Sequence, residues 1–137
     1  LLRMATDLFS DAGAARWQSL LNRSTRFADA AADWSGSLLL VEEESAGAIR
    51  RTWVRIGDGK CLEARPGEAS DFASAEFVLT AAPRVWQALV AAETTPAMAA
   101  MTGKLKLTKG EVFALIPHAR AAAELLAAAA LGDETPS

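Results

Sequence analysis

One cysteine, Cys61, and one histidine, His118, are the side chains of this sequence with the readiest nucleophilic or acid–base chemistry near neutral pH. A zinc centre wants cysteines and histidines in pairs, and the chain has one of each. A serine triad needs a histidine and a serine in a nucleophile elbow, and no such setting surrounds His118. His118 follows Pro117 at the start of a helical stretch, where partial exposure is expected. Cys61 lies in GDGKCLEARPGE, a turn and a short strand, and reads as a small buried or half-buried residue. GDGK has neither the length nor the strand-to-helix setting of a phosphate loop. Glu42, Glu43 and Glu44 would need burial to move their pKa values before they could do acid–base work, and they fall at a hairpin tip where solvation is expected. The only basic cluster, Lys104, Lys106 and Lys109, fits one edge strand, where lysines guard against edge-to-edge pairing. These residues point to no catalytic group, metal or cofactor.

The bulk composition narrows the classes further. A chain of 137 residues fits a single domain over 1–137. A net charge of −3 gives no concentrated basic face for nucleic acid. One cysteine excludes an internal disulfide. No stretch of about 18 apolar residues is read along the chain, so no membrane insertion is expected. The opening LLRMATDLF is too short and too acidic for a signal peptide, and Met4 reads as a start preceded by three extra residues. Asn22–Ser24 match a glycosylation sequon, a coincidence without a secretory signal. The expected location is cytoplasmic.

Periodicity gives the elements. Ser10 caps a helix through DAGAARWQSLLN, with Ala14, Trp17, Leu20 and Leu21 on one stripe, and Ser24 and Thr25 restart it with Phe27, Ala31 and Trp34. Leu38 to Val41 are apolar on both faces, so this strand is expected to be central and covered on both sides. AIRRTWVRIG alternates in part and reads as its antiparallel neighbour. Asp58–Gly59 turns the chain tightly into KCLEAR. EFVLTA is a fourth strand. Pro83 then opens a helix carrying Val85, Trp86, Leu89 and Val90, and Thr95–Pro96 opens a second with Met98 and Met101. Gly103 stops it. KLKLTK alternates strictly, as an edge strand should. GEVFALIPHARAAAELLAAAALG is helical with a break at Pro117 and a stop at Gly132. The fold class is α+β: a five-stranded, mainly antiparallel sheet made of a three-strand meander, a crossover and two further strands, covered by helices. The late helices offer more apolar surface than one face of a small sheet needs, which a hollow between helices and sheet would absorb.

EFVLTAAPRVWQALVAAETTPAMAAMTGKLKLTKGE resembles the second half of the sterol carrier protein type 2 family. The matching positions are Leu79, Pro83, Trp86, Leu89, Pro96, Met101, Gly103, Lys104, Leu105, Lys106 and Gly110. The first half looks like the small stand-alone bacterial members. Two positions depart: the loop before Pro96 reads AAETT, and Glu111 stands where Asp is common.

The resemblance implies an apolar tunnel between sheet and helices that takes sterols, fatty acids or acyl-CoA. Its lining is expected from Trp86, Leu89, Met98, Met101, Phe113, Ile116, Leu125 and Leu126, with Leu38, Leu40 and Trp53 from the sheet. An alkyl chain gains roughly 0.8 kcal/mol per methylene buried, so a ten-carbon tail offers about 8 kcal/mol before association costs. Two functions are carried forward: a non-enzymatic binder or transporter of an apolar small molecule, and an interaction module whose groove receives a twin subunit or a partner enzyme.

Overall fold

The structure, a computed structural model, describes residues 6–133. Met4 lies outside them.

Helix α1, Asp11–Arg23, starts where Ser10 accepts the Gly13 N–H at 3.0 Å, with Asp11 and Arg23 complementing the helix dipole at its two ends. Its buried stripe is Ala14, Trp17, Leu20 and Leu21. Ser24 ends α1 through its own N–H to Leu21 and caps α2, Thr25–Ala30, by accepting the Phe27 N–H at 3.1 Å. Trp34 follows in the connection to the sheet and stacks on His118, with ring centroids 5.1 Å apart and planes 10° apart.

The sheet runs β3-β2-β1-β4-β5. Strand β1, Gly36–Glu43, is buried at every position from Ser37 to Glu42, because strands flank it on both sides and layers cover both faces. It pairs antiparallel with β2, Ile49–Gly57, and parallel with β4, Phe77–Ala81. Strand β3, Lys60–Pro66, follows β2 through Asp58 and Gly59, whose φ of 49° and 80° match the twist that two-residue hairpins need. Strand β5, Leu105–Lys109, closes the other edge antiparallel to β4. The result is the α+β sheet read from the sequence, with the β1–β4 pair as its parallel element.

The two faces of the sheet are unequal. Leu38, Leu40, Val54, Ile56, Phe77 and Leu79 join the main core under the helices. Leu39, Val41, Trp53 and Val78 form a smaller cluster with Ala75 on the opposite face. Beside it lies a one-turn helix, α3, Asp71–Ser74, that the sequence pattern does not reveal. Asp71 holds it by accepting two hydrogen bonds from Arg65, both at 3.0 Å, and the Glu68 N–H at 2.8 Å. Arg65 lies over the Trp53 ring at 5.3 Å. Lys109 is not simply solvated: its ammonium donates to the Phe72 and Ala73 carbonyls at 2.6 and 3.1 Å.

The free edge of β3 is managed by α1. Asn22 accepts the Cys61 N–H at 2.8 Å and donates to the Cys61 carbonyl at 2.9 Å, and Gln18 accepts the Ala64 N–H at 3.2 Å. Side chains thus take the place of a neighbouring strand. The sequon asparagine is therefore committed to the fold.

Three sequence expectations change here. Glu42 does not sit solvated at a hairpin tip. It lies within β1 with a side chain 6% exposed, and it accepts Arg50 Nε at 2.8 Å, so the guanidinium supplies the countercharge its burial requires. The C-terminal run Val112–Ala130 is also long and apolar enough, by length and composition, to cross a membrane. In the structure it folds as α6, Val112–Leu115, a 3-10 turn at Ile116–His118, and α7, Ala119–Ala127. Pro117 lies in the 3-10 turn, and α7 buries Ala121, Ala122, Leu125 and Leu126 in the main core. Gly132 falls inside a closing 3-10 turn, Ala128–Asp133, rather than after a helix end.

Candidate functional site

Two further helices follow β4. Helix α4, Pro83–Val90, buries Trp86, Leu89 and Val90, and the Trp86 indole N–H donates to the Val41 carbonyl at 3.0 Å. Helix α5, Pro96–Met101, opens where Thr95 accepts the Met98 N–H at 3.1 Å, with Pro96 in its first turn. It closes at Gly103, whose φ of +77° is the left-handed conformation that glycine adopts without strain. Six residues make under two turns, so α5 has one short inward face. Ala99 is buried on it.

Beneath α5 lies an apolar hollow of about 110 Å³. Pro96, Ala97 and Ala100 form its α5 wall, Leu79, Leu105 and Leu107 its sheet floor, and Val112, Leu115, Ile116, Ala119 and Ala122 its third side. Every one of these side chains is hydrocarbon, so the hollow offers a ligand nothing to hydrogen-bond or ion-pair with. Its space comes from alanines three apart, Ala97 and Ala100 on α5, Ala119 and Ala122 on α7.

Around this hollow, large apolar side chains stand in solvent: Met101 is 80% exposed, Phe113 79% and Met98 53%, and the lining residues Ile116 and Val112 are 56% and 51% exposed.

The expected lining residues scatter accordingly. Ile116 borders the hollow. Leu89, Leu125, Leu126, Leu38 and Leu40 are buried in the solid core, and Trp86 is buried with them but borders a second hollow instead. Met98, Met101 and Phe113 are exposed, and none of the three lines the hollow. Trp53 lies on the opposite face of the sheet, in register with Leu39 and not with Leu38 or Leu40. The sequence reading missed the alanines altogether. Their signal was the three-residue spacing of small side chains in two short helices that flank an edge strand.

A second hollow, of about 330 Å³, opens between residues 6–9, β1, β2 and α4, and is lined by Leu8, Phe9, Trp86 and Val90 with Glu42 and Arg50 at one side. Arg50 is already engaged there: besides Glu42 it donates to Asp7 at 2.9 and 3.3 Å. Its hydrogen bonds to Glu42 first, and then to Asp7, hold its pKa above the ordinary arginine value. The trio works as a strap fastening the start of the described chain to the sheet.

The residues with chemical potential do not converge. Cys61 is 2% exposed, and burial pushes its thiol up to about 12, so it carries no thiolate at neutral pH. His118 is half-buried against Trp34. Among the described residues no three His, Cys, Asp or Glu side chains gather as metal ligands do.

Known proteins resemble the chain in both sequence and fold. No curated protein matches it. A crystal structure of sterol carrier protein 2 superposes with a TM-score of 0.79 at 33% identity, covering 90% of this chain and 97% of that one. The solution structure of a conserved hypothetical protein from Thermus thermophilus, described as a potential sterol carrier protein, gives a TM-score of 0.79 at 33% identity over 96% and 94% of the two chains. Sterol carrier protein 2 from Yarrowia lipolytica, in its apo form, shares the fold with a TM-score of 0.59 at 21% identity, over 94% of this chain and 98% of that one. The family model for SCP-2 sterol transfer matches residues 18–113, and on that match the chain belongs to the SCP-2 sterol transfer family.

Proposed function

We propose that this chain is a single, non-enzymatic lipid-binding domain that takes an acyl chain or sterol between α5, β5 and the C-terminal helices. The observation that carries this reading is the hollow lined by hydrocarbon alone. Apolar burial is non-directional and scales with area, so such a site needs no convergent polar group and discriminates by shape. Membership of the SCP-2 sterol transfer family and the likeness to sterol carrier protein 2 support the same ligand class.

The hollow is small for this task. A dry cavity of about 150 Å³ takes benzene, so about 110 Å³ admits only the leading end of a lipid. Ligand uptake then requires α5 and α6 to move apart, opening a tunnel inward. Both are short, and Gly103 and Gly110, with φ of +77° and +101°, stand at the two ends of β5 between them. The buried Trp86, Leu89, Leu125 and Leu126 lie behind and would line the widened space. A single free, buried cysteine fits a reducing compartment such as the cytoplasm.

Titration with a fluorescent fatty acid, followed by displacement with palmitate and with cholesterol, tests the reading. Saturable uptake in the micromolar range with displacement by at least one competitor is expected. Uptake that never saturates would contradict it.

A further inference from the structure

The five exposed apolar side chains around the hollow are unusual in a chain whose other large apolar residues mostly pack. Met98 and Met101 stand on α5, and Val112, Phe113 and Ile116 on and just after α6, so two adjacent helix tips carry them. Three of the five lie within four residues of each other, separated from the two methionines in sequence by β5, and residues of both helices line the same hollow. An apolar surface of this sort marks a contact with something apolar.

The charges around it indicate what that is. Between residues 95 and 122 the chain carries Lys104, Lys106, Lys109 and Arg120 against the single acid Glu111, although the whole protein is net −3. Lys109 is engaged with the Phe72 and Ala73 carbonyls, while Lys104, Lys106 and Arg120 are exposed and make no ion pair among the described residues. Basic residues interleaved with exposed Met and Phe are what an anionic bilayer attracts, the apolar groups entering the acyl boundary and the cations meeting lipid phosphates. A second copy of the chain would bring the same cations face to face.

We propose that the α5–β5–α6 rim docks on an anionic lipid bilayer, with Met101 and Phe113 as its inserting side chains and Lys104 and Lys106 as its phosphate contacts. This rests on the lipid-binding reading and adds a route. The mouth of the hollow would face the acyl layer, so a chain would pass between bilayer and protein without crossing water.

The test is flotation of the purified protein with vesicles of phosphatidylcholine alone and of phosphatidylcholine mixed with phosphatidylglycerol. The same proteins are titrated in parallel with the soluble fatty-acid probe. Wild type should float with the anionic vesicles and progressively less as salt is raised. The double variant Met101→Ser/Phe113→Ser, both residues being exposed, should keep its fold and its probe affinity but lose at least about tenfold in vesicle affinity. Lys104→Gln and Lys106→Gln should each cost about fivefold on anionic vesicles and little on neutral ones. Wild type that takes the probe but does not float, or variants that float like wild type, would overturn the docking surface and leave the lipid-binding reading standing. Flotation that depends on these residues in a protein that takes no probe would uphold the docking surface and remove the lipid-binding reading. A wild-type dimer that does not float, and that the double variant splits into monomers, would assign the rim to a second copy and overturn the proposal.

Discussion

Trp17 on α1 donates its indole N–H to the carbonyl oxygen of Leu125 on α7, 2.9 Å away and 108 positions later in the chain. Trp17 is fully buried, so its indole N–H needs an acceptor within the core, and the Leu125 carbonyl on α7 supplies it. This bond ties the first long helix to the element that forms one side of the apolar hollow.

Trp17→Phe keeps most of the ring and removes the donor. It is expected to cost about 1–3 kcal/mol, from the lost buried hydrogen bond and the space left by the smaller ring. Urea unfolding at neutral pH, with the slope unchanged, measures it.

Ala100→Trp is expected to plug the hollow. Ala100 lines it from α5 and is exposed on its other side, so a large ring can enter without displacing core side chains. Fatty-acid affinity should fall by at least about tenfold while stability changes by less than about 1 kcal/mol. Calorimetry and probe titration on the same preparation separate the two effects.

Asn22→Leu strips the edge of β3 of both bonds to Cys61. The expected loss is about 1–3 kcal/mol, with earlier hydrogen exchange at Cys61. An unchanged exchange rate there would mean that the edge is protected by something other than α1.

Cys61 gives a pH signature. Its thiol is raised from 9.0 to about 12, first by burial, so the folded chain holds the proton after the unfolded chain has released it. The stabilisation is complete below about pH 9 and is lost as pH rises toward about 12. The urea midpoint of wild type should therefore fall more steeply between about pH 8.5 and about pH 10.5 than that of Cys61→Ala. Parallel curves would show that Cys61 titrates in the folded protein as it does in the unfolded one.

Much of the fold was legible because backbone demands are local. Ser10, Ser24 and Thr95 each cap the helix they announce, and the doubly apolar run Leu38–Val41 is the central strand. Alternation in KLKLTK marks the edge strand β5. The one-turn α3 escaped because it has no apolar period and rests on Asp71 and Arg65. The site was less legible for a physical reason. Large apolar residues mark where a protein is full, whereas a hollow is marked by small ones, so Met98 and Met101 drew the eye while Ala97 and Ala100 faced the space. Trp53 could not be assigned to a face because its partner strand β1 is apolar on both.

Native mass spectrometry of wild type and Ala100→Trp, each purified alike and then exposed to palmitate and to cholesterol, tests the central claim most directly. The account predicts a wild-type mass increased by one ligand, co-purified or added, and an Ala100→Trp protein that stays folded and empty. Wild type that remains at its bare mass with every lipid, or an Ala100→Trp protein that loads as fully as wild type, would contradict the placement of a lipid site in this hollow.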